Sequence, residues 1–120
     1  MIQMSDVLKM LDSWGCDIPQ ALQRCCGDTE FFLHWVSQFV WDPDFEKLDS
    51  AISAKNYEAA FEAAHGLKGS SGTLGLTPLY EAVCTVVEDL RHGPRDTLDG
   101  DYKAMRQSYD HFTEIMKSGQ

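Results

Sequence analysis

The chain has 120 residues, of which 43% are hydrophobic and 11% aromatic, and a formal net charge of −9. This length and apolar content predict one folded domain over residues 1–120 and exclude a disordered chain. The acidic charge excludes nucleic acid and anionic membrane as main partners, because both bind clustered Lys and Arg side chains.

Two further features concern location and thiol chemistry. The most apolar stretch, residues 31–41, is too short to cross a bilayer, and no signal-type segment precedes Ser5. We therefore expect a cytoplasmic protein and, for a small acidic domain, a monomer. The four cysteines form no C-x-x-C pair, which favours reduced thiols. A zinc site with His34, His92 or His111 has no support from spacing, and we expect no metal in this chain.

Every segment longer than ten residues has a helical period of apolar residues, and none has the alternation of a strand. The first predicted helix is short, with Ser5 as its N-cap and Gly15 at its end. A second short helix starts at Asp17 and Pro19 and ends at Gly27.

A long amphipathic helix follows, with Asp28 as its N-cap. The segment Asp42–Asp44 contains a proline and predicts a break or a kink, after which the same apolar face continues. The next helix has Asn56 as its N-cap and extends from Tyr57 to about Thr73.

The last two predicted helices complete the fold. Thr77 and Pro78 suit an N-cap and first helical position, and this helix continues to Leu90. Residues 92–94 form a loop, and a final helix begins at about Thr97. The pattern predicts an all-α protein: an antiparallel up-down four-helix bundle with the short N-terminal helices capping one end.

The segment 65–75 is unusual because Gly66, Gly69 and Gly72 fall within two turns of a predicted helix. A glycine inside a helix costs roughly 1 kcal/mol relative to alanine. The simplest reason for tolerating three is a bare surface around His65 and Lys68, which another macromolecule can approach closely.

Helical geometry predicts which way His65 points. With about 100° between successive residues, the small apolar side chains of Ala60, Ala63 and Leu67 fall on one face, which is the core face. His65 lies nearly opposite that face, so we expect it to be exposed. The outward face also includes Glu58, Phe61, Glu62, Lys68, Gly69 and Gly72.

An exposed imidazole beside an ammonium group suits transient capture of a phosphoryl group. A neutral imidazole nitrogen is a competent nucleophile near pH 7. Lys68, one turn from His65, would neutralise charge on the phosphoryl oxygens. Phe61, one turn before His65, is either part of a docking surface or an edge-of-core residue.

The motif His65-x-Leu67-Lys68-Gly69-Ser70, with Gly75 ten residues after the histidine, resembles the signature of histidine-containing phosphotransfer (HPt) domains. The resemblance covers roughly residues 15–90. It extends upstream and downstream to Gly15, Ala21, Leu22, Arg24, Gly27, Asp28, Glu30, Leu76 and Leu79.

The resemblance implies a four-helix bundle that relays phosphoryl groups and is not a kinase. The Nε2 nitrogen of His65 would accept the group from an aspartate on a receiver domain of a response regulator or hybrid histidine kinase. That receiver would bring the Mg²⁺, and this chain would hold no cofactor of its own. Gly69 would leave room for the receiver, and Phe61, Glu62 and Gly72 would complete the docking surface.

One position departs from the family pattern. In many relatives a Gln or Glu reaches the other imidazole nitrogen, but the corresponding residue here is Val87, which Glu88 follows. One residue rotates a side chain by about 100° around a helix. Glu88 is therefore a candidate for orienting the His65 ring only if the turn over residues 74–78 shifts the helix register; otherwise it is a solvated surface glutamate.

Two other functional classes compete with the relay. A protein-interaction module on the same bundle would bind a partner without moving phosphate. An enzyme is disfavoured, because the sequence has no nucleotide-binding glycine loop, no H-E-x-x-H or H-x-x-E-H pair and no Ser–His–Asp grouping.

Overall fold

The computed structural model describes residues 4–118, and within that range the chain is helical with no strand. The all-α class predicted from the sequence is confirmed. The described helices are α1 (Met4–Trp14), α2 (Ile18–Arg24), α3 (Thr29–Phe39), α4 (Pro43–Ser53), α5 (Tyr57–Thr73), α6 (Thr77–Arg91) and α7 (Leu98–Ser118).

Four helices begin with a side-chain cap, in which an oxygen accepts a hydrogen bond from a backbone N–H of the first turn. Asp17, Asp28 and Asn56 cap α2, α3 and α5, as predicted. Asp42 caps α4, with its Oδ1 2.8 Å from the backbone nitrogen of Asp44.

The Asp42 cap also explains how the predicted long helix divides. Pro43 occupies the first turn of α4, where its missing N–H costs nothing. Residues 40–42 are not helical, so the sequence motif produces a break between α3 and α4.

Two predicted N-caps are wrong. Ser5 lies inside α1, which begins at Met4. Thr77 is the first residue of α6, and the cap position belongs to Leu76, which has no side-chain capping bond. A Thr-Pro pair fits the first turn of a helix in either register, because proline is tolerated at both N1 and N2.

The last four helices pack in sequence order, α4 on α5, α5 on α6 and α6 on α7. Helix α7 also returns to α4: the rings of Phe45 and Tyr109 lie 4.1 Å apart, and the Tyr102 hydroxyl donates a 2.6 Å hydrogen bond to Asp49. These contacts agree with a helical bundle, while the up-down order stays a prediction.

Apolar side chains from all of these helices form one core, and α1 packs on α7, where the rings of Trp14 and Phe112 stack. Fully burying one such side chain contributes about 1.5–3 kcal/mol. The largest fully buried side chains are Phe32, Phe112, Leu11, Leu48, Leu67, Leu74, Leu76, Leu79, Met105, Val36, Val83 and Val86. No helix within residues 4–118 is both long enough and apolar enough to cross a membrane.

Candidate functional site

Helix α5 has the two faces that its sequence predicts. Ala60, Ala63 and Leu67 are buried in the core, and His65 is exposed. Ser71 is also fully buried, and its hydroxyl donates a 2.7 Å hydrogen bond to the carbonyl of Leu67, so burial leaves no unpaired polar atom there. The small residues of the inner face let α5 lie close to its neighbours.

The imidazole of His65 is next to one aromatic ring. Its centroid lies 5.9 Å from that of Phe61, with 30° between the ring planes, which is within the range of favourable aromatic contacts. Among residues 6–118 no group makes a hydrogen bond to the imidazole. Both ring nitrogens are therefore available to solvent or to a partner.

Lys68 lies one turn beyond His65 and is half-buried. Within the described part of the chain its ammonium group has no carboxylate partner; the ion pair that is present joins Glu88 to Arg91. An ammonium group without a carboxylate partner is free to bind an anion beside His65.

His65 and Lys68 lie on the wall of a groove with a volume of about 580 Å³, which α2, α5 and the start of α6 enclose. Its lining is Asp17, Gln20, Arg24, His65, Lys68, Gly69, Ser71, Gly72, Thr73, Gly75, Thr77 and Tyr80. The groove therefore places the predicted acceptor and cation beside residues of α2 and its N-cap.

Arg24 fixes α2 to the C-terminal end of α5. Its Nη1 donates hydrogen bonds of 2.9 and 2.8 Å to the carbonyls of Gly72 and Thr73. These carbonyls belong to the last turn of the helix, where the helix dipole favours a cation, and that of Gly72 also accepts a 3.1 Å hydrogen bond from the backbone nitrogen of Gly75.

Gly75 makes a second contact between these segments. Its carbonyl accepts a 2.8 Å hydrogen bond from the backbone nitrogen of Asp17. Gly75 has a φ of 70°, and a Cβ atom there would lie 2.7 Å from the carbonyl oxygen of Asp17. Only glycine fits this turn without a shift of backbone.

The three glycines of α5 have different surroundings. A Cβ at Gly66 would lie 2.5 Å from Oδ2 of Asp44, and a Cβ at Gly72 would lie 3.0 Å from the ring of Tyr80. A Cβ at Gly69 would meet nothing within 4 Å. The predicted bare surface therefore describes Gly69, while the other two glycines make room for side chains of this chain.

Glu88 forms an ion pair with Arg91 on the exposed side of α6. Val87 is fully buried, and Glu88 is exposed, with its Oε1 accepting a 3.1 Å hydrogen bond from Nε of Arg91. The guanidinium carbon of Arg91 lies 5.6 Å from the centroid of the Phe61 ring. Glu88 thus bonds Arg91, and a direct contact with the imidazole stays a prediction.

Tyr80 and Arg91 also belong to the site, although no sequence motif marks either of them. Tyr80 lines the groove and packs on Gly72, and a hydrogen bond with Cys84 raises the pKa of its hydroxyl. Arg24 was noted only as part of the family resemblance. Within residues 6–118 no cluster of three or more His, Cys, Asp or Glu side chains is arranged to hold a metal ion.

A family model described as Hpt domain matches residues 41–114, which is more than half of the chain. The matched range includes His65, Lys68 and the three glycines of α5, and it covers helices α4 to α6 and most of α7. No curated protein and no solved structure matches the chain.

Proposed function

The chain belongs to the Hpt domain family, and from this we propose that it is a phosphorelay intermediate that accepts a phosphoryl group on His65 from a receiver-domain aspartate and passes it to another receiver. Hpt domains are phosphocarrier modules and not enzymes, and the family implies a phosphotransfer role in two-component signalling and interaction with receiver domains. By this proposal the chain has no kinase activity of its own.

The observation that supports His65 as the acceptor is its exposed imidazole without a hydrogen-bond partner among the described residues, at the rim of a groove. In the proposed step the lone pair of Nε2 attacks the phosphorus of the receiver's aspartyl phosphate. The nitrogen–phosphorus bond forms, the phosphorus–oxygen bond breaks, and the aspartate leaves as a carboxylate. The proton on Nδ1 stays in place, and the reverse step delivers the group to the next receiver.

Lys68 and Gly69 support the same step in different ways. The ammonium of Lys68, which has no carboxylate partner among residues 6–118, neutralises charge on the transferring oxygens, and this is the electrostatic contribution that recurs in phosphoryl transfer. The open space at Gly69 leaves room for the receiver's active site next to the imidazole. A side chain there would hold the two proteins apart.

The receiver supplies the remaining groups. The cofactor in this proposal is Mg²⁺ bound to the receiver, and this chain binds none. The docking surface in this proposal is formed by Phe61, Glu62, Gly69 and Gly72 around His65, with the ring of Tyr80 beside Gly72. We place this protein in the cytoplasm as a monomer, with receiver domains of response regulators or hybrid histidine kinases as partners and with no role in nucleic-acid binding.

The helical order of the family bundle is part of the proposal. We infer an antiparallel up-down arrangement of α4 to α7, because each of these helices packs on the next through a short connection and α7 contacts α4. Short connections favour antiparallel neighbours in bundles.

Transfer from a ³²P-labelled receiver tests the function. We expect an acid-labile label on the chain, which His65→Gln abolishes. His34→Gln is the matched control, since His34 is also exposed on a helix, and it should be labelled like the wild type. A label that survives acid or persists in His65→Gln would reject the proposal. Receiver binding with no movement of phosphate would favour the interaction module instead.

A further inference from the structure

Three side chains form a continuous stack beside the His65 ring. The ring centroids of Phe61 and His65 lie 5.9 Å apart, and the guanidinium carbon of Arg91 lies 5.6 Å from the Phe61 centroid. Nε of Arg91 in turn donates a 3.1 Å hydrogen bond to Oε1 of Glu88. The stack joins two helices, because Phe61 and His65 belong to α5 while Glu88 and Arg91 belong to α6.

This stack concerns the orientation of the His65 ring. An imidazole without a hydrogen-bond partner can rotate about its χ1 and χ2 angles, and rotation moves Nε2 away from the line of attack. No polar group among residues 6–118 restricts the ring. The contact that does restrict it is the aromatic face of Phe61, one turn earlier on the same helix.

Phe61 is itself held on two sides. It is half-buried and packs against the hydrophobic core. Arg91 lies within the 6 Å range of a cation–π interaction with its ring. The core and the guanidinium already cover part of the ring, so Phe61 presents only its remaining exposed part to a receiver at the docking surface.

We propose that Phe61 is a positioning residue for the His65 imidazole, kept in place by Arg91 and, through it, by Glu88. The aromatic contact takes the place of the hydrogen bond that a polar side chain would make to the ring. Glu88 then acts on the imidazole indirectly. This inference rests on the proposed function, since the orientation matters for transfer through Nε2.

NMR of the unphosphorylated protein tests the contact without any receiver. The Cδ2 and Cε1 protons of His65 lie beside an aromatic ring, so their chemical shifts should differ from those of His34 and His92. Phe61→Leu keeps an apolar side chain but removes the ring, and the His65 signals should move toward those of the other two. Phe61→Tyr keeps the ring and should preserve the wild-type shifts.

Transfer kinetics test whether the contact positions the ring for reaction. With a phosphorylated receiver, Phe61→Leu should lower kcat by roughly tenfold, since small misplacements of a reacting group are costly. KM for the receiver should change little, and Phe61→Tyr should restore kcat. Arg91→Gln, a change at an exposed residue that leaves the core intact, should lower kcat in the same direction and by less.

The outcomes separate this inference from the proposed function. Unchanged His65 shifts and kcat in Phe61→Leu would overturn it, as would a rise in KM alone, which would make Phe61 a docking residue. Circular dichroism shows whether Phe61→Leu folds. If it does not, the His65 chemical shifts and kcat of Arg91→Gln decide. If no receiver phosphorylates the wild type, the proposed function fails, and the NMR comparison alone decides whether Phe61 orients the ring.

Discussion

Arg24→Ala is expected to weaken the attachment of α2 to the helix that bears His65. The guanidinium donates to two carbonyls in the last turn of α5, at 2.9 and 2.8 Å. Hydrogen bonds to charged groups contribute about 1.5–3 kcal/mol each when shielded from water. Because Arg24 is exposed, we expect the pair together to contribute about 1–2 kcal/mol.

Urea unfolding measures this change in the free energy of unfolding, and a loss of that size should lower Tm by about 4–8 °C in a domain of this length. Arg24→Lys keeps the charge, but the lysine side chain is one bond shorter than the path to Nη1, the nitrogen that donates to both carbonyls, so its loss should be partial. Arg95→Ala is the matched control, because within the described residues the Arg95 side chain makes no hydrogen bond. Equal stability of Arg24→Ala and Arg95→Ala would refute the reasoning.

Three other substitutions test separate parts of the account. Gly69→Ala should stabilise the fold by up to about 1 kcal/mol, because its Cβ enters open space. The same substitution should slow transfer from a receiver. Faster or unchanged transfer would show that the receiver does not need the open space at Gly69. Gly75→Ala should destabilise by about 2–4 kcal/mol in urea unfolding, from its φ of 70° and the nearby backbone oxygen, and a neutral result would contradict the geometry of that turn. Burial, followed by the charge of Asp42, raises the pKa of Asp44 in the fold. The folded state then binds more protons than the unfolded state just above the usual carboxyl pKa of about 3.9, so this group's contribution to stability falls as pH rises from about 4. Asp44→Asn should remove that decline, and identical pH profiles of the two proteins would count against it.

The inner and outer faces of α5 could be predicted from the sequence because they depend only on helical geometry. The alternation of small apolar residues with His65 and Lys68 fixes both faces at 100° per residue. The N-caps at Asp28 and Asn56 could also be predicted, because each side chain bonds to a backbone N–H only three residues further along the chain. The N-cap of α6 could not be predicted in this way, because Thr77 and Pro78 fit two registers, and the tight turn at Gly75 selects the one in which Leu76 is the N-cap and Thr77 the first helical residue.

The groove could not be predicted in this way, because its walls come from helices distant in sequence. Nothing local indicates that Arg24 reaches the carbonyls of Gly72 and Thr73, which depends on how α2 docks. The same is true of Asp44 over Gly66, a contact between α4 and α5. From the sequence, the three closely spaced glycines have one explanation, a bare surface. In the structure each of them has different neighbours.

Two contacts between α5 and α6 could have been predicted from positions along the chain. Phe61 and Arg91 lie equally far from Leu76 along the chain, as do Gly72 and Tyr80, and both pairs are in contact. The proposed antiparallel arrangement of α5 and α6, which meet at Leu76, brings such pairs level with each other. The same symmetry places Val87, not Glu88, level with His65.

The most direct test of the phosphoryl acceptor is NMR of the chain after transfer from a phosphorylated receiver, with ³¹P detection and ¹H–¹⁵N correlation of the imidazole. We predict a single phosphoramidate signal, bonded to Nε2 of His65. A phosphate on His34, His92 or His111, or on any oxygen, would contradict the account.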